Sequence, residues 1–105
     1  MTMTFKLKPD PTFKTKVQIH IPGQPKPGEI EFVFKHKTRD ELRAFREEAK
    51  TKADEDVILD IADGWDVKDS AFCRDSLTEL FANYSTAPAS IVDAYMGELH
   101  GTRRA

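Results

Sequence analysis

The stretch Val57-Ile58-Leu59-Asp60-Ile61-Ala62-Asp63-Gly64-Trp65-Asp66 is the densest apolar run of the chain and holds its only tryptophan. At 3.6 residues per turn, Val57, Ile58, Ile61, Ala62 and Trp65 share one broad helical face, and Leu59 widens it. A helix apolar over that much of its girth has to be covered on more than one side. Asp60 and Asp63 fall on a narrow strip left for water. Gly64 supplies the left-handed residue that ends such a helix. Trp65 then stands at the exit, where a large ring plugs the junction with the next segment.

Outward from this centre, the N-terminal side reads as strand. Phe13, Val17, Ile19 and Ile21 point one way, and Lys14, Lys16, Gln18 and His20 the other. Pro22-Gly23-Gln24-Pro25-Lys26-Pro27-Gly28 is dense in turn formers. A second alternating run succeeds it, with Ile30, Phe32 and Phe34 on one face, and Glu29, Glu31, Val33 and Lys35 mostly on the other. The two runs predict an antiparallel hairpin over about residues 12–36, with Lys14 and Lys16 facing Glu29 and Glu31. A hairpin is marginal alone, so its Phe/Ile face needs helices. Residues 1–11, with Pro9 and Pro11, read as a loose arm, and residues 12–105 as a single domain.

Thr38-Arg39-Asp40-Glu41 is a capping box that opens a surface helix with Leu42, Phe45 and Ala49 on its thin apolar stripe. On the far side of the central stretch, Cys73, Leu77, Leu80, Phe81 and Tyr84 recur at helical spacing, with Cys73 read as a small core hydrophobe. Ser85 or Thr86 caps a last helix, and Pro88 sits in its first turn. Ile91, Tyr95 and Leu99 form its inner face, Val92 and Met96 flank it, and Gly101 ends it. The expected fold class is α+β: an N-terminal antiparallel β-hairpin followed by about four short packed α-helices.

Length and composition set outer bounds. The chain has 105 residues and a formal net charge of −2. One domain is the default at this size. No run approaches the length of a bilayer span, and the N-terminus lacks a signal-peptide pattern. A lone cysteine fits a reducing compartment. These features lead to an expected cytoplasmic location with no membrane contact. Residues 1–37 hold seven Lys against three acids, and residues 38–105 hold nine Lys/Arg against fifteen acids. A solvated strand face explains the basic end better than a nucleic-acid footprint.

His20, His36 and His100 lie on separate elements, and the acidic series 54–66 lacks the spacing of a calcium loop. Gly23 and Gly28 do not make a phosphate loop. No nucleophile elbow or acid/base pair stands out. The expectation is therefore no catalytic residue, no metal, no cofactor and no enzyme activity. The start of the last helix, Ala87-Pro88-Ala89-Ser90, lacks the side chains of a DNA-recognition helix.

A resemblance runs through residues 12 to 104. It is carried by Ile21-Pro22-Gly23, Phe34-Lys35-His36-Lys37-Thr38-Arg39-Asp40-Glu41, Gly64-Trp65-Asp66, Phe72 with Leu77 and Leu80, and Ala94-Tyr95 with Leu99 and Arg103. In this order the chain resembles the tail assembly chaperones of long-tailed bacteriophages and prophages. The resemblance implies a protein that binds the tape measure protein, keeps it soluble, helps recruit tail tube subunits and is absent from the finished virion. It also implies a longer frameshifted form that carries the tube-binding part.

A helical client would be held by an apolar surface. Met96 and Val92, with Tyr95, and separately Trp65, are the candidate partner-binding residues, while Trp65 and Tyr95 also read as ordinary core. The opposed charges of the two ends would suit head-to-tail contact between copies in a homo-oligomer. Alternatives are a small structural tail or neck protein and a nucleic-acid-binding regulator.

Overall fold

The alternation of the N-terminal half becomes two antiparallel strands, β1 (Thr12–Ile19) and β2 (Gly28–Lys35). The computed structural model describes residues 7–101. Residues 1–6 of the expected arm, and the tail 102–105 with Arg103, lie outside the described residues. Lys16 stands directly opposite Glu31, as expected, but Lys14 faces Val33 and Glu29 faces Gln18. Val17, Ile19, Phe32 and Phe34 are buried on the inner face, and Lys14, Lys16, Gln18 and Glu29 are exposed on the outer one. The connecting loop turns at Gly23, whose φ of 82° lies in the left-handed region, and Gln24 N–H closes the turn on the Ile21 carbonyl at 3.1 Å. The arm joins the sheet at Pro11, whose carbonyl accepts from His36 N–H at 2.9 Å.

Helix α1 (Arg39–Ala49) starts where the capping box predicts. Thr38 Oγ1 accepts from Glu41 N–H at 3.3 Å, and Glu41 Oε1 accepts from Thr38 N–H at 2.9 Å. That second bond is the main reason the Glu41 carboxyl sits below its ordinary range. Leu42 and Phe45 are buried in the core cluster.

The central stretch departs from its expected form. Helix α2 (Asp54–Ile61) ends three residues before Gly64, and Ala62–Trp65 forms a third strand, β3. Ala62 already has extended angles, φ −131° and ψ 147°. Gly64 has no positive φ, so it does not cap the helix. β3 pairs antiparallel with β2, Trp65 opposite Phe32, Gly64 opposite Val33 and Ala62 opposite Phe34. Asp63 is left over between the last two pairs, a bulge that frees it to reach Lys35 Nζ at 3.6 Å. The hairpin is therefore part of a three-stranded sheet in the order β1-β2-β3. The physical reason is competition: without β3, the far side of β2 would hold unpaired backbone groups, and pairing there outweighs one more helical turn.

Helix α3 (Arg74–Asn83) buries Leu77, and helix α4 (Ala87–His100) buries Ala87, Ile91, Ala94 and Tyr95. α4 packs against β1, and α2 packs against both α3 and α4. The core thus lies between the inner sheet face and the helices, with Ile58 and Ile61 of α2 fully buried in it. Pro88 sits in the first turn of α4, and Gly101 ends the helix with φ 69°. Thr86 occupies the cap position without a side-chain hydrogen bond. Arg46 of α1 reaches His100 Nε2 at 3.1 Å across the end of α4.

Candidate functional site

Val92 and Met96 lie one turn apart on α4 and are half-buried, packed along the margin of the core. With Pro88 they form a row at i, i+4 spacing, which is the shape a helical partner's side chains meet. An unbranched methionine adapts its rotamer to different neighbours. Among the described residues the large hydrophobic that stands fully in solvent is Leu7, at 93% exposure. The apolar surface on offer along α4 is therefore shallow and partly covered.

Tyr95, one residue from Met96, is fully buried and presents no surface. Its ring stacks on Phe13 at 6.0 Å and tilts against Phe34 at 5.1 Å, with Phe45 edge-on at 6.2 Å. Its hydroxyl donates to the Lys35 carbonyl at 2.8 Å. Burial pushes the phenol well above its ordinary value, and the charges of Asp60 and Glu41 push in the same direction. Tyr95 and Met96 are neighbours in sequence, yet the 100° step between them separates a core anchor from a marginal residue.

Trp65 is on another element, β3, where it stands opposite Phe32 of β2. Its ring is half-buried and meets Phe32 at 6.0 Å and Phe72 at 5.4 Å, both edge-on. Nε1 donates to the Ser70 carbonyl at 2.9 Å. Asp66 adds a second tie: its N–H donates to the Glu31 carbonyl at 3.0 Å, and its carboxylate accepts from Glu31 N–H at 2.9 Å. Together these contacts fold the connector 66–73 back around the tryptophan. The structure brings Val92 and Met96 together and holds Trp65 apart from them.

The charges expected to lie at opposite ends of the molecule meet inside it. Lys37 Nζ approaches Asp60 at 3.7 Å and lies 6.0 Å over the Phe45 ring, and Lys52 also approaches Asp60 at 4.0 Å. Lys35 reaches both the Leu59 carbonyl and Asp63. Arg74 pairs with Asp56, joining the start of α3 to α2. The acidic strip of α2 is thereby matched to the basic end of β2 within one chain.

Cys73 is exposed, against the expectation of a core position. The helix begins one residue later, so Cys73 stands outside the helical period with φ −156° and ψ 171°. Its sulfur is 3.4 Å from Ser76 Oγ. That contact, with the Ser76 and Asp75 backbone N–H groups, lowers the thiol's proton affinity, while desolvation and the Asp75 charge oppose it. Phe72, which the sequence reading assigned to no element, completes the tryptophan cluster with its ring. Its signal was an aromatic close to Trp65 at the end of a polar connector.

No three His, Cys, Asp or Glu side chains gather as a metal site among the described residues, and none of the described helices is long and apolar enough to cross a membrane. No curated protein and no solved structure matches the chain. The sequence model of a family described as phage tail assembly chaperone matches residues 1–105, the whole of it. With this match over its full length, the chain belongs to the phage tail assembly chaperones.

Proposed function

We propose that this chaperone acts on the tape measure protein, a long and largely helical chain. It holds that client during assembly, keeps it from aggregating, helps bring tail tube subunits to it, and leaves before the particle is complete. A longer frameshifted product of the same gene would carry the tube-binding part. The work takes place in the cytoplasm of the bacterial host, and several copies associate along one client. The observation that carries this reading is the family match over all 105 residues. The half-buried row of Val92 and Met96 supports it, since a helix laid along α4 gains apolar contact there without a deep pocket.

The test is co-expression with the tape measure protein of the same genome. A soluble complex, with the client insoluble alone, is the expected result. A client that stays insoluble with no complex recovered would reject the reading for that pair.

A further inference from the structure

We propose that helix α1 is a lid over the client's seat: it swings off the core as a ready-made helix, and an amphipathic helix of the client takes its place. Little holds α1 down. Leu42 and Phe45 are buried and Ala49 is half-buried, while the other eight residues of the helix are exposed. Among the described residues α2 runs along both α3 and α4, whereas α1 runs along no other element. Phe45 meets the Tyr95 ring edge-on at 6.2 Å, and Arg46 reaches His100 at the surface. The flanks are held at one point: Lys37 before the helix and Lys52 after it approach Asp60 of α2, at 3.7 and 4.0 Å. The segment between them is a flap clasped at its base, with two apolar side chains as its latch.

α1 also carries what a helix needs away from the core. Its first turn is closed by the Thr38–Glu41 capping box. Asp40 with Arg43, Glu47 with Lys50 and Glu48 with Lys52 pair along its own surface. Asp40 and Glu41 stand at the positive end of the helix, and Arg46 in its last turn. A bare helix of 11 residues is marginal in water, and these features offset part of that cost. α2 is the contrast: it has no side-chain cap and buries Val57, Ile58 and Ile61. Its helical form depends on packing, and that of α1 depends on it far less.

The seat under α1 continues the surface already described on α4. The row of Pro88, Val92 and Met96 extends at the same i, i+4 spacing to His100, where Arg46 of α1 makes its contact. With α1 in place the row is shallow and ends at the lid. With α1 swung away, the edge of Tyr95 that meets Phe45 is uncovered and the row gains depth. The occupant has to offer what α1 offers, a helix with apolar side chains at i, i+3 and i+7 in place of Leu42, Phe45 and Ala49. A long helical client supplies such stretches, and its affinity is set by how often the chain's own helix vacates the seat. The inference rests on the client binding of the proposed function and adds the seat and its regulation.

The test has an arm without client and an arm with it. In hydrogen exchange of the full chain, α1 amides should exchange about a hundredfold or more faster than those around Ile91 in α4, with little change in mild urea. Protection of α1 equal to that of α4 would overturn the lid. In the second arm, denatured tape measure protein is diluted into limiting purified chaperone. Phe45→Ala, checked as folded by its protected α4 amides, should keep about threefold more client soluble than the parent, although its own stability falls. Arg46→Cys with His100→Cys, in a Cys73→Ser background and joined by a cleavable bis-maleimide linker, should keep about threefold less, and cleavage should restore it. Phe45→Ala and the linked chain both holding as much client as the parent would overturn the lid and leave the proposed function standing. If no form holds client, the proposed function falls and the client's seat with it.

Discussion

Tyr95 joins two functions in one side chain: its ring fills the centre of the core, and its hydroxyl caps the Lys35 carbonyl. That carbonyl points to the β3 side of β2, one residue beyond the last pair, Phe34 with Ala62. The phenol thus stands where a longer β3 would have supplied an N–H. Tyr95→Phe keeps the packing and leaves the carbonyl unpaired, so it should cost about 1–2 kcal/mol, seen as a lower denaturant midpoint at unchanged slope. The same residue predicts an alkaline limb. Its folded value lies above the unfolded one, which is near 10.0. The stability that goes with the neutral phenol is complete below that pH and is lost as pH rises toward the folded value. Thermal melts above pH 10 should fall in the parent and fall less steeply in Tyr95→Phe.

The element that departs most from its local pattern is the run from α2 into β3. Of the two glycines read as helix ends, Gly101 is one and Gly64 is not. Gly64 lies in a strand without positive φ, and an added Cβ there meets nothing within 4 Å. Gly64→Ala should therefore be neutral or stabilise by up to about 1 kcal/mol through the unfolded state. A left-handed helix cap at that position would give the opposite sign. Gly101 is such a cap, at φ 69°, and Gly101→Ala should destabilise by about 1 kcal/mol despite open space around it. Paired chemical denaturation of the two variants checks both. Much of the element level was legible locally, because hairpin alternation, the capping box, Pro88 and Gly101 depend on neighbours a few residues apart. β3 was not, because Val57–Trp65 satisfies a helical period and only the open side of β2, some 30 residues away, makes its last four residues extended.

At the scale of the whole molecule, the apolar residues divide into a sealed interior and a shallow margin. Met96→Asp changes the margin and leaves Tyr95 and Ile91 in place, so the fold should survive with a melting temperature within a few degrees of the parent. Recovery of soluble tape measure complex should drop about tenfold or more, the scale of a charge set into an apolar contact. Trp65→Ala is the control from the other side of the molecule. It strips Phe32 and Phe72 of their partner and should cost about 3 kcal/mol in stability. Loss of complex with Met96→Asp at unchanged stability would place the client on α4. Equal binding by the parent and Met96→Asp would remove α4 from the interface.

Of the candidate site, the helical spacing of Val92 and Met96 could be read in advance, and their half-buried margin could not. The sequence by itself determined the hairpin, the start of α1, the ends of α4 and the family, since each rests on short-range pattern or on residues in a given order. Tertiary structure alone decided that Ala62–Trp65 is a strand, that Cys73 faces solvent, and that Asp60 and Asp63 answer Lys35 and Lys37. Those outcomes depend on which backbone edge, charge or face a distant segment leaves unsatisfied, and no local period encodes that.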